Sequence, residues 1–245
     1  MPVADAVVVV IPAYEEEETI TSVVAGARQQ ILTVIVVDDG STDATGARAA
    51  AAGATVLTHP KNQGKAAALR SGFDWALRLG ARAVITLDGD GQHDPADIPR
   101  LVDAADRRPG ALIIGARSSR REGAPRARYW ANGVADFWIS RAAGCRISDS
   151  QSGFRLYPEA LLRSCRLAVT REKSFVFESE ILIDAALSGY PVVAVPVASR
   201  YPVNARKSHF RPVVDISRIV RMVAWKIVSG RHLPERASAP RSETR

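Results

Sequence analysis

The chain has 245 residues, 47% of them hydrophobic and 24% charged, with a net charge of +7. This is ordinary globular composition, sufficient for one large domain or one domain with an appended arm, and its positive balance points to an anionic partner: nucleic acid, an acidic membrane or a phosphorylated substrate. No apolar stretch reaches the roughly 18 to 20 residues of a spanning helix, and Asp5 and Pro12 argue against a signal peptide, so a soluble or surface-bound protein is expected.

The first strand is expected at Val7–Ile11, an apolar run without polar alternation, as in a strand buried on both faces. It ends at Pro12-Ala13-Tyr14 and runs into four glutamates. An acidic first turn suits the positive end of a helix, so Glu15 to about Gln30 is expected to be helical. A second strand, Thr33–Val37, ends in Asp38-Asp39-Gly40-Ser41-Thr42-Asp43. Here Asp43 reads as a cap for a helix running to about Ala52. Gly53 stops that helix, and Ala54–Thr58 is a short third strand. Asn62-Gln63-Gly64-Lys65 is then a polar loop feeding an alanine-rich helix that ends at Gly80. Such a loop at a helix N-terminus suits a phosphate or a base, but it lacks Walker spacing; Lys65 either reaches a site or caps a surface loop.

The most informative stretch is Val84–Pro95, VITLDGDGQHDP. An apolar strand, Ala83–Leu87, delivers Asp88 and Asp90 into a glycine-flanked turn. Two acids crowded together call for a counter-charge, most simply a divalent cation with oxygen ligands, and the carboxyl ends of strands are where open α/β sheets bind ligands. A helix over Pro95–Arg107 and a strand over Ala111–Gly115 follow. The alternation of strands and helices predicts an α/β fold, a doubly wound and mostly parallel sheet. Pro-Ala-Tyr stands where a dinucleotide fold has Gly-x-Gly-x-x-Gly, which excludes a nicotinamide enzyme.

The second half begins with a basic segment carrying Arg117, Arg120, Arg121, Arg126 and Arg128, then a helix expected from Tyr129 to about Ala143. ISDSQSGFRLYP forms a second polar constellation, with Asp149, Gln151, Gly153 and Arg155. FVFESEILIDAALSGY brings Glu178 and Glu180 to the start of a helix ended near Gly189, and Val192–Val197 is a late strand. Arg200, Arg206, Lys207, Ser208, His209 and Arg211 make another basic run. Val213–Ser229 is amphipathic with basic edges and fits either an interfacial helix or a final helix packed on the domain. The tail after Gly230 has a disordered composition. The two cysteines, Cys145 and Cys165, stand in no metal-binding spacing and read as reduced thiols of a cytosolic protein.

Taken together, VVIPAYEEEETI, VVDDGSTDAT, NQGKAAALRSG, LDGDGQHDP, GAR, DSQSGFRLYP and FVFESEI resemble glycosyltransferase family 2, and most of all its dolichyl- and polyprenyl-phosphate sugar transferases. The resemblance spans about the first 210 residues and implies the GT-A fold: a Rossmann-like nucleotide-sugar half and an acceptor half over residues 1–211, the amphipathic helix over 212–229 and a tail over 230–245. It implies that Pro12, Tyr14, Glu16 and Asp39 hold the nucleoside of an activated sugar, with Val37 at its edge. Lys65 and Gly89 lie on the same donor, and Asp88, Asp90 and Gln92 hold Mg²⁺ or Mn²⁺ against the diphosphate of a UDP- or GDP-linked sugar. Arg117, Arg128, Arg155, Arg200, Lys207 and Ser208 would face phosphates of donor or acceptor. Members often carry Cys where Ser152 stands, and the C-terminal membrane spans frequent in the group are absent.

The implied reaction is an inverting displacement at the anomeric carbon. A lipid-phosphate acceptor needs no base and is placed by arginines; a hydroxyl acceptor requires a carboxylate, for which Glu178 and Glu180 are candidates, the apolar entry FVF favouring a raised pKa. Asp90, Glu178 and Arg117 are thus the residues expected to carry catalysis. Expected partners are a nucleotide sugar, a lipid-phosphate or lipid-linked acceptor and an anionic membrane surface, at the cytoplasmic face of an inner membrane. Three rivals are weaker. A sugar-1-phosphate nucleotidyltransferase wants a glycine- and arginine-rich loop after the first strand. A phosphoacceptor signalling domain matches Asp38, Asp39 and Asp88 but needs about half this length. A nucleic-acid binder leaves the acid cluster unexplained.

Overall fold

The computed structural model describes residues 6–117, 126–164 and 176–198, together with 220, 221 and 223. In chain order the elements are β1 (Val7–Ala13), α1 (Ile20–Gln30), β2 (Thr33–Asp38), α2 (Thr45–Ala51), β3 (Thr55–Thr58), α3 (Lys65–Arg78) and β4 (Ala83–Thr86). A short 3-10 turn, Pro95–Asp97, leads into α4 (Ile98–Arg107), β5 (Leu112–Arg117), α5 (Arg126–Ala143), β6 (Arg155–Pro158), α6 (Glu159–Ser164), α7 (Val176–Leu187) and β7 (Val192–Val197).

The strands form one seven-stranded sheet in the order β3-β2-β1-β4-β6-β5-β7. Every pairing is parallel except those of β6, which runs antiparallel to both β4 and β5. Alternate side chains of each strand go to opposite faces. On one face Val8, Val10, Ile35, Val37, Val84 and Ile114 pack with Leu69 and Phe73 of α3 and with α5 and α7; on the other Val9, Ile11, Val34, Val36, Ile85 and Ile113 pack under α1 and α4. Both faces are therefore covered, which is why the strands read as unbroken apolar runs. The helix α3 lies so close to β1 that a Cβ at Gly72 would come within 2.3 Å of Val10 Cγ1.

Two departures from the sequence expectations bear on the site. The helix expected from Glu15 begins at Ile20, its first turn being closed when the Thr19 and Ile20 amides donate to Glu16 O. The glutamates form a loop instead. Thr42 Oγ1 donates to Glu15 Oε1, the Ala44 amide donates to Glu17 Oε2, and Arg48 pairs with Glu17, so the acids tie the β1–α1 loop to the start of α2. The second departure is β6. Its four residues follow a polar run and include an arginine, yet they enter the middle of the sheet. At the C-terminus, Val220, Arg221 and Val223 are helical, and Val223 is buried on the α5–α7 face. The rest of 212–229 and the tail lie outside the described residues. Among the described residues no helix is long and apolar enough to cross a membrane.

Candidate active site

The site lies where the sheet splits at its carboxyl edge. β1 pairs with β4 only as far as Val10 with Thr86, but with β2 as far as Ala13 with Asp38. Beyond Thr86, β4 has ended, and only the Leu87 amide still donates to Val10 O. Pro12 points its ring nitrogen toward β4, where no strand remains to ask for an N–H, so a proline inside a central strand costs no ladder bond. The gap that opens between β1 and β4 is where Asp88, Gly89 and Asp90 turn. Gly91 takes φ +70°, which a glycine allows freely. Thr19 Oγ1 donates to Gly89 O at 2.6 Å and ties this turn to the start of α1.

Three elements converge on Asp88. Lys65, the first residue of α3, places Nζ 2.7 Å from Asp88 Oδ1 and 3.0 Å from Glu178 Oε2 at the start of α7. Burial alone would depress the lysine, but the two carboxylates outweigh it and hold the ammonium above its ordinary value. Asp88 answers in kind: burial would raise it, and Lys65 more than cancels this and keeps it below the usual carboxylate range. Behind the carboxylate is Gly153, where a Cβ would lie 2.3 Å from Asp88 Oδ2. Only a glycine lets the 149–154 loop approach this closely.

That loop is strapped to both neighbouring strands. Thr86 Oγ1 donates to Gly153 O at 2.7 Å, and Ser152 Oγ donates to Gly115 O at 2.7 Å. Asp149, at φ +55°, holds Arg117 in a fork, with Nε 2.8 Å from Oδ2 and Nη2 2.6 Å from Oδ1. Asp136 of α5 accepts from the Asp149 and Ser150 amides and from the Ser150 hydroxyl. Burial pushes its carboxyl above the ordinary value, against those hydrogen bonds. His93 lies under the turn against the Phe154 ring, its Nδ1 buried with no hydrogen-bond partner; burial lowers its pKa to about 4, so it is a neutral imidazole. Sequence reasoning passed over Asp136 and His93. The signal available for Asp136 was an acid set in the apolar stretch of a helix, Val134-Ala135-Asp136-Phe137-Trp138.

The family model for glycosyl transferase family 2 matches residues 8–174. The chain belongs to glycosyl transferase family 2. It is 32% identical over 146 residues to the polyprenol monophosphomannose synthase of Mycolicibacterium smegmatis, an alignment covering 58% of this chain and 54% of that protein. It is 29% identical over 145 residues to the undecaprenyl-phosphate mannosyltransferase of Micrococcus luteus, covering 58% and 59%. The chain thus matches little more than half the length of these curated relatives. Among solved structures, glucosyl-3-phosphoglycerate synthase of Mycobacterium tuberculosis in complex with Mn²⁺, UDP and phosphoglyceric acid superposes with a TM-score of 0.68 at 24% identity, over 95% of this chain and 82% of that one. The same synthase with Mg²⁺ and UDP gives 0.64 at 25% identity, over 95% and 83%. The fold is therefore GT-A.

Set on this family 2 fold, the expected site residues divide. Lys65, Asp88 and Glu178 are in contact, so Lys65 reaches the site. Tyr14 and Glu16 follow β1, and Gly89, Asp90 and Gln92 form the turn, the Gln92 amide donating to Asp90 Oδ1 at 3.0 Å. Three further residues are buried and have internal contacts. Val37 is fully buried under α3. Asp39, 3% exposed, spends both oxygens internally: it accepts from the Gln63 and Gly64 amides, at 2.7 Å for Gly64, and pairs with His59 Nδ1 at 2.6 Å. It shapes the loop before Lys65. Arg155, at 0% exposure, donates to the carbonyls of Ser152, Glu178 and Ser150 at 2.8, 2.7 and 2.6 Å, and this leaves no face for a phosphate. Arg117 stands beside Asp88, but its fork faces Asp149. The side chain of Arg128, and all of Arg200, Lys207 and Ser208, lie outside the described residues.

Proposed function

We propose that this chain transfers a sugar from a nucleoside-diphosphate sugar to a polyprenyl-phosphate or other lipid-linked acceptor, with inversion at the anomeric carbon and with Mg²⁺ or Mn²⁺. The observation that carries the reading is the Asp88 carboxylate at the split between β1 and β4, already holding the ammonium of Lys65. Its donor set suits a hard cation: oxygen ligands from Asp88 and Asp90, beside a buried Glu178 whose Oε1 has no hydrogen-bond partner. Among the described residues no three His, Cys, Asp or Glu side chains converge as a metal cage. Mg²⁺ is commonly held by one or two carboxylates completed by substrate phosphates. A bound cation would neutralise charge developing on the departing diphosphate. The similarity to sugar transferases acting on polyprenol and undecaprenyl phosphate, and to a synthase seen with UDP and Mn²⁺ or Mg²⁺, supports both substrates.

In this reading Tyr14 and Glu16 border the nucleoside, Asp39 fixes the 63–64 backbone, and Asp88, Asp90 and Gln92 hold the cation. Lys65 offers its ammonium to the diphosphate. Arg117, held in place by Asp149, brings fixed positive charge to the same edge; Arg128, Arg200, Lys207 and Ser208 are assigned to the acceptor phosphate. A phosphate oxygen is already anionic, so these groups need only orient it in line with the leaving group. A membrane-surface location belongs to the same proposal, and loss of co-sedimentation with anionic vesicles on changing Arg218 and Lys226, basic residues of the 213–229 segment, to glutamate would support it. The central test is calorimetric binding of UDP and GDP with and without Mn²⁺. Metal-dependent binding of one nucleotide, lost in Asp90→Ala, is expected; no binding of either by a folded protein would sink the donor site.

One observation favours a second reading, a hydroxyl acceptor. Glu178, 6% exposed, is a positioned carboxylate that a phosphate acceptor would not require. If it is a base, Glu178→Gln loses turnover by about 10²-fold or more with nucleotide binding intact; a lipid-phosphate transferase keeps most of its turnover.

A further inference from the structure

Lys65 sits where a divalent cation would compete with it. Its ammonium bridges Asp88 Oδ1 and Glu178 Oε2 at 2.7 and 3.0 Å, so two negative groups share one positive one. Its root is rigid. Gly64, at φ +91°, precedes it, and the Gln63 and Gly64 amides are pinned to Asp39, which is itself paired with His59. The four-carbon stem beyond that root is flexible, and an ammonium is a compact point charge that can change partners by rotating it.

We propose that Lys65 is a tethered counter-ion that bars Asp88 to a free divalent cation until a nucleoside diphosphate arrives to take the ammonium, so that metal and donor bind as a pair. The inference rests on the donor-site reading above. A divalent cation on Asp88 would stand next to the Lys65 ammonium, and like charges at that separation repel strongly in a half-buried site. The lysine must therefore leave Asp88. It has somewhere to go on its other side: Glu178 keeps it by Oε2, and Glu178 Oε1 is a buried acceptor with no partner. Released from Asp88, the ammonium regains the donor it had given that carboxylate and can offer it to a diphosphate oxygen. Metal without nucleotide has to pull the lysine off Asp88 and leave it only Glu178 in exchange, whereas metal with nucleotide brings a second anion for the ammonium. The coupling is reciprocal, so the nucleotide should in turn bind poorly without metal.

The test is Mn²⁺ binding to the full chain, read from the free-ion electron paramagnetic resonance signal, with and without UDP and GDP. Wild type should take Mn²⁺ weakly alone, and the nucleotide that binds should tighten it by about tenfold or more, within the usual range of coupling. Lys65→Met and Lys65→Gln should each take Mn²⁺ alone about tenfold tighter than wild type and lose most of the coupling. Lys65→Arg, which keeps the charge, should behave as wild type. Two neutral variants guard against one failing to fold, which circular dichroism reports. Unchanged or weaker Mn²⁺ affinity in the neutral variants, with metal-dependent nucleotide binding intact in wild type, overturns the counter-ion and leaves the donor site standing. Absence of metal-dependent nucleotide binding in wild type overturns both.

Discussion

Two groups of acids lie along the same edge of the sheet and are used in opposite ways. In the loops after β1 and β2, Glu15, Glu17, Asp38, Asp39 and Asp43 are satisfied mainly by backbone amides and hydroxyls of neighbouring loops: Ser41 N on Asp38, Thr45 N on Asp43, Ala44 N on Glu17, Gly64 N on Asp39. Around β4, Asp88 and Glu178 share one lysine, and Glu178 Oε1 and His93 Nδ1 have no partner. The first group is spent on structure and the second is poised for something that arrives. Residue type does not separate them; the partner does, since a backbone amide cannot leave and an ammonium on a flexible stem can.

Mutations should break the two groups differently. Gly153→Ala drives a methyl into the Asp88 carboxylate. It should cost about 10²-fold or more in metal-dependent turnover, as removing one preorganised electrostatic group does, with only about 1–3 kcal/mol of stability lost to overpacking. Retained turnover would show that Asp88 is free to shift and that the poised group is not tightly built. Arg155→Met should do the reverse to the scaffold beneath Glu178. It removes the donor that ties three carbonyls together, and we expect about 3–5 kcal/mol lost in urea unfolding, with no rescue by Arg155→Lys, which lacks the fork. Asp39→Asn should cost about 2 kcal/mol through its amide and His59 contacts. It should weaken nucleotide binding only through the loop before Lys65; a large loss of binding at unchanged stability would return Asp39 to the nucleoside.

The smallest effects are in pH. Burial would raise Asp43, but its hydrogen bonds from Thr45 outweigh this and hold it below the ordinary 3.8. Its stabilisation is thus full above 3.8 and lost as pH falls through the depressed folded value. Asp136 has the opposite sign: burial raises its folded pKa, so stability is lost as pH rises from 3.8 through that raised value. In acid-unfolding curves Asp43→Asn should flatten the rise of stability with pH, and Asp136→Asn should steepen it. The same change of slope in both variants would contradict these assignments.

Much of this architecture is legible in the residues. Apolar runs closed by glycine or acid mark β1 to β5 and β7 to within a residue or two, because strands covered on both faces carry no competing polar pattern. The acid turn after β4 is legible for the converse reason: LDGDGQ makes no sense in a strand. The failures also have physical causes. The glutamates after Tyr14 suit a helix start locally, and only the neighbouring loop, with Ser41, Thr42 and Ala44 as partners, draws them out of it. β6 was hidden because Arg155 looks like a ligand for phosphate, and its burial depends on three carbonyls that come together only in the folded chain. The burial of Val37 and Asp39, to which the resemblance gives a nucleoside-side role, is set by contacts that exist only in the folded chain. The separation of Lys65 from Asp88 and Glu178 along the chain gives no sign that they meet.

The antiparallel insertion of β6 has a consequence for the order of assembly. β1 to β4 are contiguous in the chain and can pair as soon as residues 7–88 exist, with Lys65 and Asp88 already at hand. The centre of the sheet stays open until residues 155–158 wedge between β4 and β5, and this same segment carries in Gly153; Glu178 follows only with α7. Closing such long loops is slow compared with local pairing. The Asp88 pocket is therefore expected to be completed after the β1–β4 half of the sheet. In pulse-labelled hydrogen exchange during refolding, amides of β1 and β2 should gain protection before those of β6 and the 149–154 loop; simultaneous protection would mean that the sheet closes as one unit.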